Sequence, residues 1–456
     1  MAAGWTRTPG TLCAAYLGVL LLVTAGGGRG ATAHAQLLRA DLSLLGQVRD
    51  GDQSNETETP TNLYGQIGID RLHHRIGADT YFRLADDFAR DDTATDFYAG
   101  YLRAPFKTVD FTLGRQFLNE VPGTAVVADA GKARVNAGPV ALTVFGGQPH
   151  YFEPTYGAAS LSQDEQMVGA TLSSTRWRDS VLKLGYLWQQ RDGYTLRQLV
   201  TGSATHTFSS LPGRPRTYGV LGMDADRQNI EQATAGFDTF FGQPRIGVNF
   251  ESGYYKPQDH GKYVNPDMNR RQDPIFELFS VSQMLQFRGG LRYMLARSLS
   301  AYCDYSYQRF EALKGLYENG NLGSVGLMWL PYGDGLEVVR LEYYVMDSYG
   351  GNVNGGKLYY ENRLYNRVVF RSKLDIAGYQ KVNNRDATVV NGFLGLGYYV
   401  TPNLLTEVSM EANHNPRFDE DFRFGFFITY RFRYRPFEHS QASAAAAPAT
   451  TGGASS

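Results

Sequence analysis

The feature that most constrains this chain is a two-residue rhythm of apolar and polar side chains, clearest near its end. From Phe422 to Phe432 the even positions carry Phe422, Phe424, Phe426, Ile428, Tyr430 and Phe432. The odd positions carry Arg423, Gly425, Phe427, Thr429 and Arg431. Successive strand side chains point to opposite faces, so this segment reads as a strand with one aromatic face and one charged face. Val368, Phe370, Leu374 and Ile376 likewise oppose Arg371, Lys373 and Asp375, with Arg367 just ahead. Val339, Leu341, Tyr343 and Val345 oppose Arg340, Glu342 and Tyr344, and Val408, Met410 and Ala412 oppose Glu407, Ser409 and Glu411. Leu184, Tyr186 and Trp188 oppose Lys183 and Gln189, and Phe287, Leu291, Tyr293 and Leu295 oppose Arg288 and Arg292.

Alternation alone fits a soluble two-sheet fold as well as a membrane barrel. The N-terminus separates them. Arg7 is followed by the uncharged stretch Leu12 to Ala25, which is too short for a membrane-crossing helix of ~20 residues and about right for a secretory leader. Ala33-His34-Ala35 then forms a small-x-small cleavage site that would release Gln36. Residues 1–35 are therefore expected to be a cleaved Sec signal peptide. No later window holds 18 uninterrupted apolar residues, and mean hydropathy is -0.34. In lipid only helices and closed barrels satisfy every backbone group, so an exported chain built from alternating strands is expected to be a transmembrane β-barrel.

The expected fold is all-β: one antiparallel barrel over residues 36–434, of about 18 to 22 strands with 20 as the central value. Strand-like runs extend from 37–48 to 420–434, the weakest being 217–226 and 276–284. Tight connections fall at 104–107, 241–244, 331–335 and 401–403, and long polar ones at 49–61, 150–164, 257–274 and 348–356, as expected when one rim carries turns and the other loops. The Ala-, Ser-, Thr- and Gly-rich segment 435–456 is expected to be a disordered tail.

Composition removes several function classes. The chain has 2 Cys, and Cys13 leaves with the leader, so neither a disulfide framework nor a thiolate zinc site can form. A formal charge of -1 argues against bulk attraction to nucleic acid. No catalytic residue, metal site or cofactor is expected, and the chain is not read as an enzyme. His73-His74 sit at a turn between strands, and no Ser or acid adjoins His206 in sequence.

The segment Arg423 to Tyr430 resembles the C-terminal assembly signal of bacterial outer-membrane barrels, through Arg423, Gly425, Ile428 and Tyr430. It departs from that pattern because further residues follow the strand. Over 37–434 the chain is similar to porin-type channels of Gram-negative bacteria. It has a weaker likeness, of size and style, to barrels that sheath multihaem cytochromes. The resemblance implies outer-membrane placement, insertion by the barrel assembly machinery and contact with the lipid bilayer; single barrel and homo-oligomer both stay open.

If the polar faces line a lumen, its wall carries Arg83, Lys183, Arg288, Arg292, Arg340, Arg367, Arg371, Lys373, Arg423 and Arg431. Facing them are Asp79, Asp110, Glu251, Asp304, Glu342, Asp375, Glu407 and Glu411. Arg367, Arg371 and Lys373 share one face, either as a basic ladder for anions or as partners of Glu407 and Glu411 on neighbouring strands. Tyr254, Tyr255, Tyr343 and Tyr344 fit an interfacial aromatic girdle or, alternatively, a sugar-stacking track. The expected function is passive diffusion of small hydrophilic solutes or ions through a porin-like channel. The alternative is a scaffold whose lumen holds a periplasmic multihaem cytochrome or exports a polysaccharide.

Overall fold

The structure, a computed structural model, describes residues 37–434 except connections at 51–56, 74–75, 88–91, 153–158, 162–164, 175–178, 192, 243–244, 257–282, 314–315, 332–335, 349–350, 382–385 and 416–417. The expected leader, the tail, the loop 257–274 and nearly all of the run 276–284 lie outside the described residues. Every regular element among the described residues is a strand. Among the described residues no helix is long and apolar enough to cross a membrane.

In chain order the strands are β1 (Leu37–Asp50), β2 (Thr57–Glu58), β3 (Pro60–His73), β4 (Ile76–Asp87), β5 (Asp92–Pro105), β6 (Val109–Leu118), β7 (Val126–Ala137) and β8 (Val140–Phe152). They continue with β9 (Ala159–Leu161), β10 (Glu165–Ser174), β11 (Ser180–Arg191), β12 (Tyr194–Thr207), β13 (Arg216–Asp224), β14 (Asn229–Phe241), β15 (Ile246–Tyr255) and β16 (Met284–Ala296). The last are β17 (Leu299–Leu313), β18 (Leu316–Trp329), β19 (Glu337–Ser348), β20 (Gly351–Leu364), β21 (Val368–Lys381), β22 (Asp386–Thr401), β23 (Leu404–Asn415) and β24 (Phe418–Tyr434). The fragments β2 and β9 pair only at the strand ends Arg49–Asp50 and His150–Phe152.

The remaining strands form a closed antiparallel barrel of 22 strands. Closure is made by β1 against β24, in register from Leu38↔Tyr434 to Arg49↔Arg423. It leaves no open edge in the ring, the condition for a sheet to stand in lipid. At this seam the side chain of Phe426 lies across Gly46, where any Cβ would overlap the ring. The count exceeds the central expectation of 20. The short run 217–226 proves to be a wall strand, because β13 is paired along its length by β12 and β14.

The connections sort by rim. Those at 106–108, 138–139, 365–367 and 402–403 lie at the end where β1 begins. The expected long connection at 348–356 is instead a tight hairpin, with Ser348 opposite Gly351. Its Gly- and Asn-rich sequence belongs to β20.

Exposure distinguishes the two faces of the wall. Phe422, Phe424 and Phe426 on β24, Leu341 and Tyr343 on β19, and Leu184 on β11 are all about 40 % exposed or more. Neighbours of opposite parity carry the ion pairs described below. The apolar band therefore faces outward and the charged face inward, as lipid outside and water inside demand.

Candidate functional site: the barrel interior

The interior is built differently on its two sides. Across β6 to β12 the inward side chains Leu118, Ala128, Ala130, Phe145, Met167, Leu187 and Leu199 form a dry cluster. Val121, from the connection between β6 and β7, is fully buried in it. That connection folds across the lumen. Gln232 on β14 donates to the Pro122 carbonyl at 3.5 Å, and Glu120 pairs with Lys132 on β7 at 2.6 Å. The turn is closed by Thr124, whose N–H and Oγ1 both donate to the Val121 carbonyl.

Above this cluster, on the loop side, inward carboxylates are held by arginines. Glu165 on β10 accepts from Arg191 at 2.6 Å and from Gln189, and Arg197 on β12 pairs with Glu231 on β14. On β4, Arg83 pairs with Asp96 of β5 at 2.6 Å, the carboxylate being wholly covered. Toward the turn rim, Asp79 on β4 accepts from Arg39 at 3.1 Å and Asp110 on β6 accepts from Asn136 at 3.2 Å.

On the opposite side a strap of alternating charges and tyrosines crosses β17 to β23. Tyr302 donates to Glu342 at 2.6 Å and accepts from Arg340, which also pairs with Glu342 at 2.5 Å. Lys357 lies between Glu342 and Asp375, at 4.0 and 3.9 Å, with its ammonium over the Tyr344 ring. Tyr344 in turn donates to Asp375 at 2.9 Å. Arg371 then bridges Glu361 at 3.2 Å and Glu407 at 2.6 Å.

This arrangement divides the expected basic ladder. Arg371 is held in cross-strand pairs, Arg367 lies in the rim turn after β20, and Lys373 is exposed with no ion pair among the described residues. Lys183, Arg288 and Arg292 have no ion pair either, and the two arginines are exposed. Glu411 accepts from Asn391 at 2.7 Å. Arg423 pairs with Asp421 on its own strand at 2.6 Å, and Arg431 stands 3.8 Å from Asp41. Of the segment resembling an assembly signal, Arg423 and Gly425 face inward, while Ile428 and Tyr430 share the outward parity of Phe426.

The tyrosine pairs expected in a girdle are split, because adjacent strand residues cannot share a face. Tyr343 is outward and exposed, whereas Tyr344 is inward and bonded.

Two clusters escaped sequence reasoning because only the pairing register brings them together. On the outward face, Arg115 of β6 binds Asp129 of β7 through two nitrogens at 2.9 and 3.0 Å. His150 of β8 lies 2.5 Å from the same carboxylate. Mutual pairing is what makes these groups tolerable among the exposed apolar Leu113 and Phe117. At the turn rim Ser180 Oγ lies 2.6 Å from His206 Nδ1. Among the described residues no carboxylate bonds that histidine, so the third member of a hydrolytic triad is not in place. No group of three metal-ligating side chains occurs among the described residues.

No protein-family model matches the chain, and no curated protein sequence matches it. Among solved structures it is similar to OpdK of Pseudomonas aeruginosa, crystallised with vanillate, with a TM-score of 0.44 and 9% identity over 87% of this chain and 99% of that one. It is also similar to OccK2 (OpdF) of the same organism, in complex with glucuronate, with a TM-score of 0.45 and 10% identity over 87% and 98%. A third such structure is P. aeruginosa OpdQ, with a TM-score of 0.44 and 10% identity over 87% and 98%. The barrel assignment rests on the closed strand register described above.

Proposed function

We propose that this chain is an outer-membrane channel of porin type, through which small hydrophilic solutes and ions diffuse passively. The observation that carries this reading is the closed 22-strand wall with an apolar outer face and a charged inner face on which Arg288, Arg292 and Lys373 stand exposed, with no ion pair among the described residues. Barrels of about this size enclose more space than wall side chains alone can fill. Here the segment 119–124 and the dry cluster occupy one side, which leaves the path beside the charged strap. Discrimination is by size, with a weak electrostatic bias from a mixed lining. Export with release of Gln36, and insertion through the β24 signal, complete the proposal.

The test is single-channel conductance of the purified protein in a planar bilayer. Stable open steps support the channel. A folded barrel without conductance refutes it and favours a lumen reserved for a partner such as a cytochrome.

A further inference from the structure

Among the described residues one arrangement recurs three times on the inner wall. A tyrosine lies flat across a glycine on the next strand, and its hydroxyl donates to a carboxylate one strand further on. Tyr302 crosses Gly326 to reach Glu342, and Tyr344 crosses Gly355 to reach Asp375 at 2.9 Å. Tyr218 on β13 crosses Gly236 on β14 to reach Glu251 on β15 at 2.7 Å. The register requires this at Tyr218, which is opposite Gly236, itself opposite Glu251. A Cβ at Gly236 would collide with the ring, so glycine is what lets the tyrosine lie down.

The three clamps differ in what else the carboxylate meets. Glu342 has Arg340 and Lys357 beside it, and Asp375 has Lys357. Glu251 is directly opposite Arg288 in the β15–β16 register, yet no ion pair joins them. Directly opposed side chains have Cβ atoms ~5 Å apart, a spacing an Arg–Glu pair closes easily. The carboxylate is drawn to the other side, toward Tyr218, and Arg288 is left exposed in the lumen.

We propose that Tyr218 is a positioning residue for the channel's charge selectivity: it holds Glu251 away from Arg288 and so keeps that guanidinium free to face the solute path. Gly236 is the seat that makes the hold sterically feasible. The proposal rests on the channel reading above. It assigns to one hydroxyl a role in ion preference that neither its own charge nor its burial would suggest.

The experiment is the reversal potential of wild type and Tyr218→Phe under a potassium chloride gradient. Losing the hydroxyl lets Glu251 turn to Arg288 and pair with it, so the guanidinium no longer faces the path alone. The wall's net charge is unchanged and only its distribution beside Arg288 shifts, so the potassium-to-chloride permeability ratio should rise by up to about two-fold. High salt should shrink the difference by screening. In the Glu251→Gln background the same Tyr218→Phe change should leave the ratio where it was. Gly236→Ala, which lifts the ring without removing the hydroxyl, should move the ratio in the same direction as Tyr218→Phe. An unchanged ratio in a conducting Tyr218→Phe barrel overturns the proposal, as does an equal shift in the Glu251→Gln background. Failure of the wild-type barrel to conduct refutes the channel reading itself and the proposal with it.

Discussion

Replacing Val121 by Asp should release the segment that crosses the lumen. Val121 is fully buried against Leu118, Met167, Leu187 and Leu199. Burying a valine side chain completely stabilises by about 1.5–3 kcal/mol. The Lys132–Glu120 pair, about four-fifths covered on both sides, adds roughly 1 kcal/mol. The Gln232 bond to Pro122, at 3.5 Å, is too long to add much. The seated segment is therefore held by about 3 kcal/mol, most of it from one side chain. Aspartate removes that contribution and brings a carboxylate into a pocket of apolar side chains, at a cost of several kcal/mol. The balance reverses, and the seated fraction should fall more than a hundred-fold. In single-channel recordings the open step should grow, and larger solutes should pass in liposome swelling. Val121→Ala keeps the seat apolar and should give near wild-type steps with more flicker. A Val121→Asp barrel that still migrates as folded on unheated gels and conducts as wild type would refute the idea that this segment narrows the path.

The two basic residues of β21 should respond differently to reversal of charge. Lys373→Glu replaces an unpaired exposed cation and should shift selectivity toward cations with little change in heat resistance, read by reversal potential and gel mobility. Arg371→Glu sets a third acid beside Glu361 and Glu407, the latter nearly buried, and should cost stability by about 3 kcal/mol or more, read as a lower temperature for loss of the folded gel form. At the closing seam Gly46→Val should collide with the Phe426 ring and lower the folded yield on refolding into detergent, whereas Phe426→Leu in the same background should recover part of it.

The strands were legible because lipid outside and water inside impose a period of two on every wall segment, and that period survives in one sequence. Position along the chain was legible; partnership across it was not. The run at 217–226 looks weak because β13 is short and contains Gly219 and Gly222, and only its two neighbours make it a wall strand. The stretch 348–356 reads as a loop for its glycines, although Gly355 lies in a strand and gives Tyr344 its seat. Arg371 and Lys373 have the same parity and type in sequence. Register alone shows that one is consumed by Glu361 and Glu407 while the other is free. The inward segment gave a faint signal, a lone valine in a polar connection, whose target lies on strands well removed in sequence.

A wall of this many strands must dispose of its interior, and this chain does so asymmetrically. The side from β6 to β12 is packed with apolar groups, and Thr171 and Thr201 are almost wholly covered there. The side from β15 to β23 keeps its charges: those of the strap are braced against the wall by tyrosines or partners, while Lys373 and Arg288 stand exposed. Water and solute should therefore follow an off-centre route. Single cysteines can map it in a Cys303→Ser background, since Cys303 is itself exposed on the outer face. Gln308→Cys and Lys373→Cys should react rapidly with a charged methanethiosulfonate and step the current. Thr171→Cys and Thr201→Cys, nearly isosteric changes at covered positions, should not react until the segment at Val121 is released. Rapid modification of either threonine position in the otherwise native barrel would mean that the dry side is open to water and that the route is central.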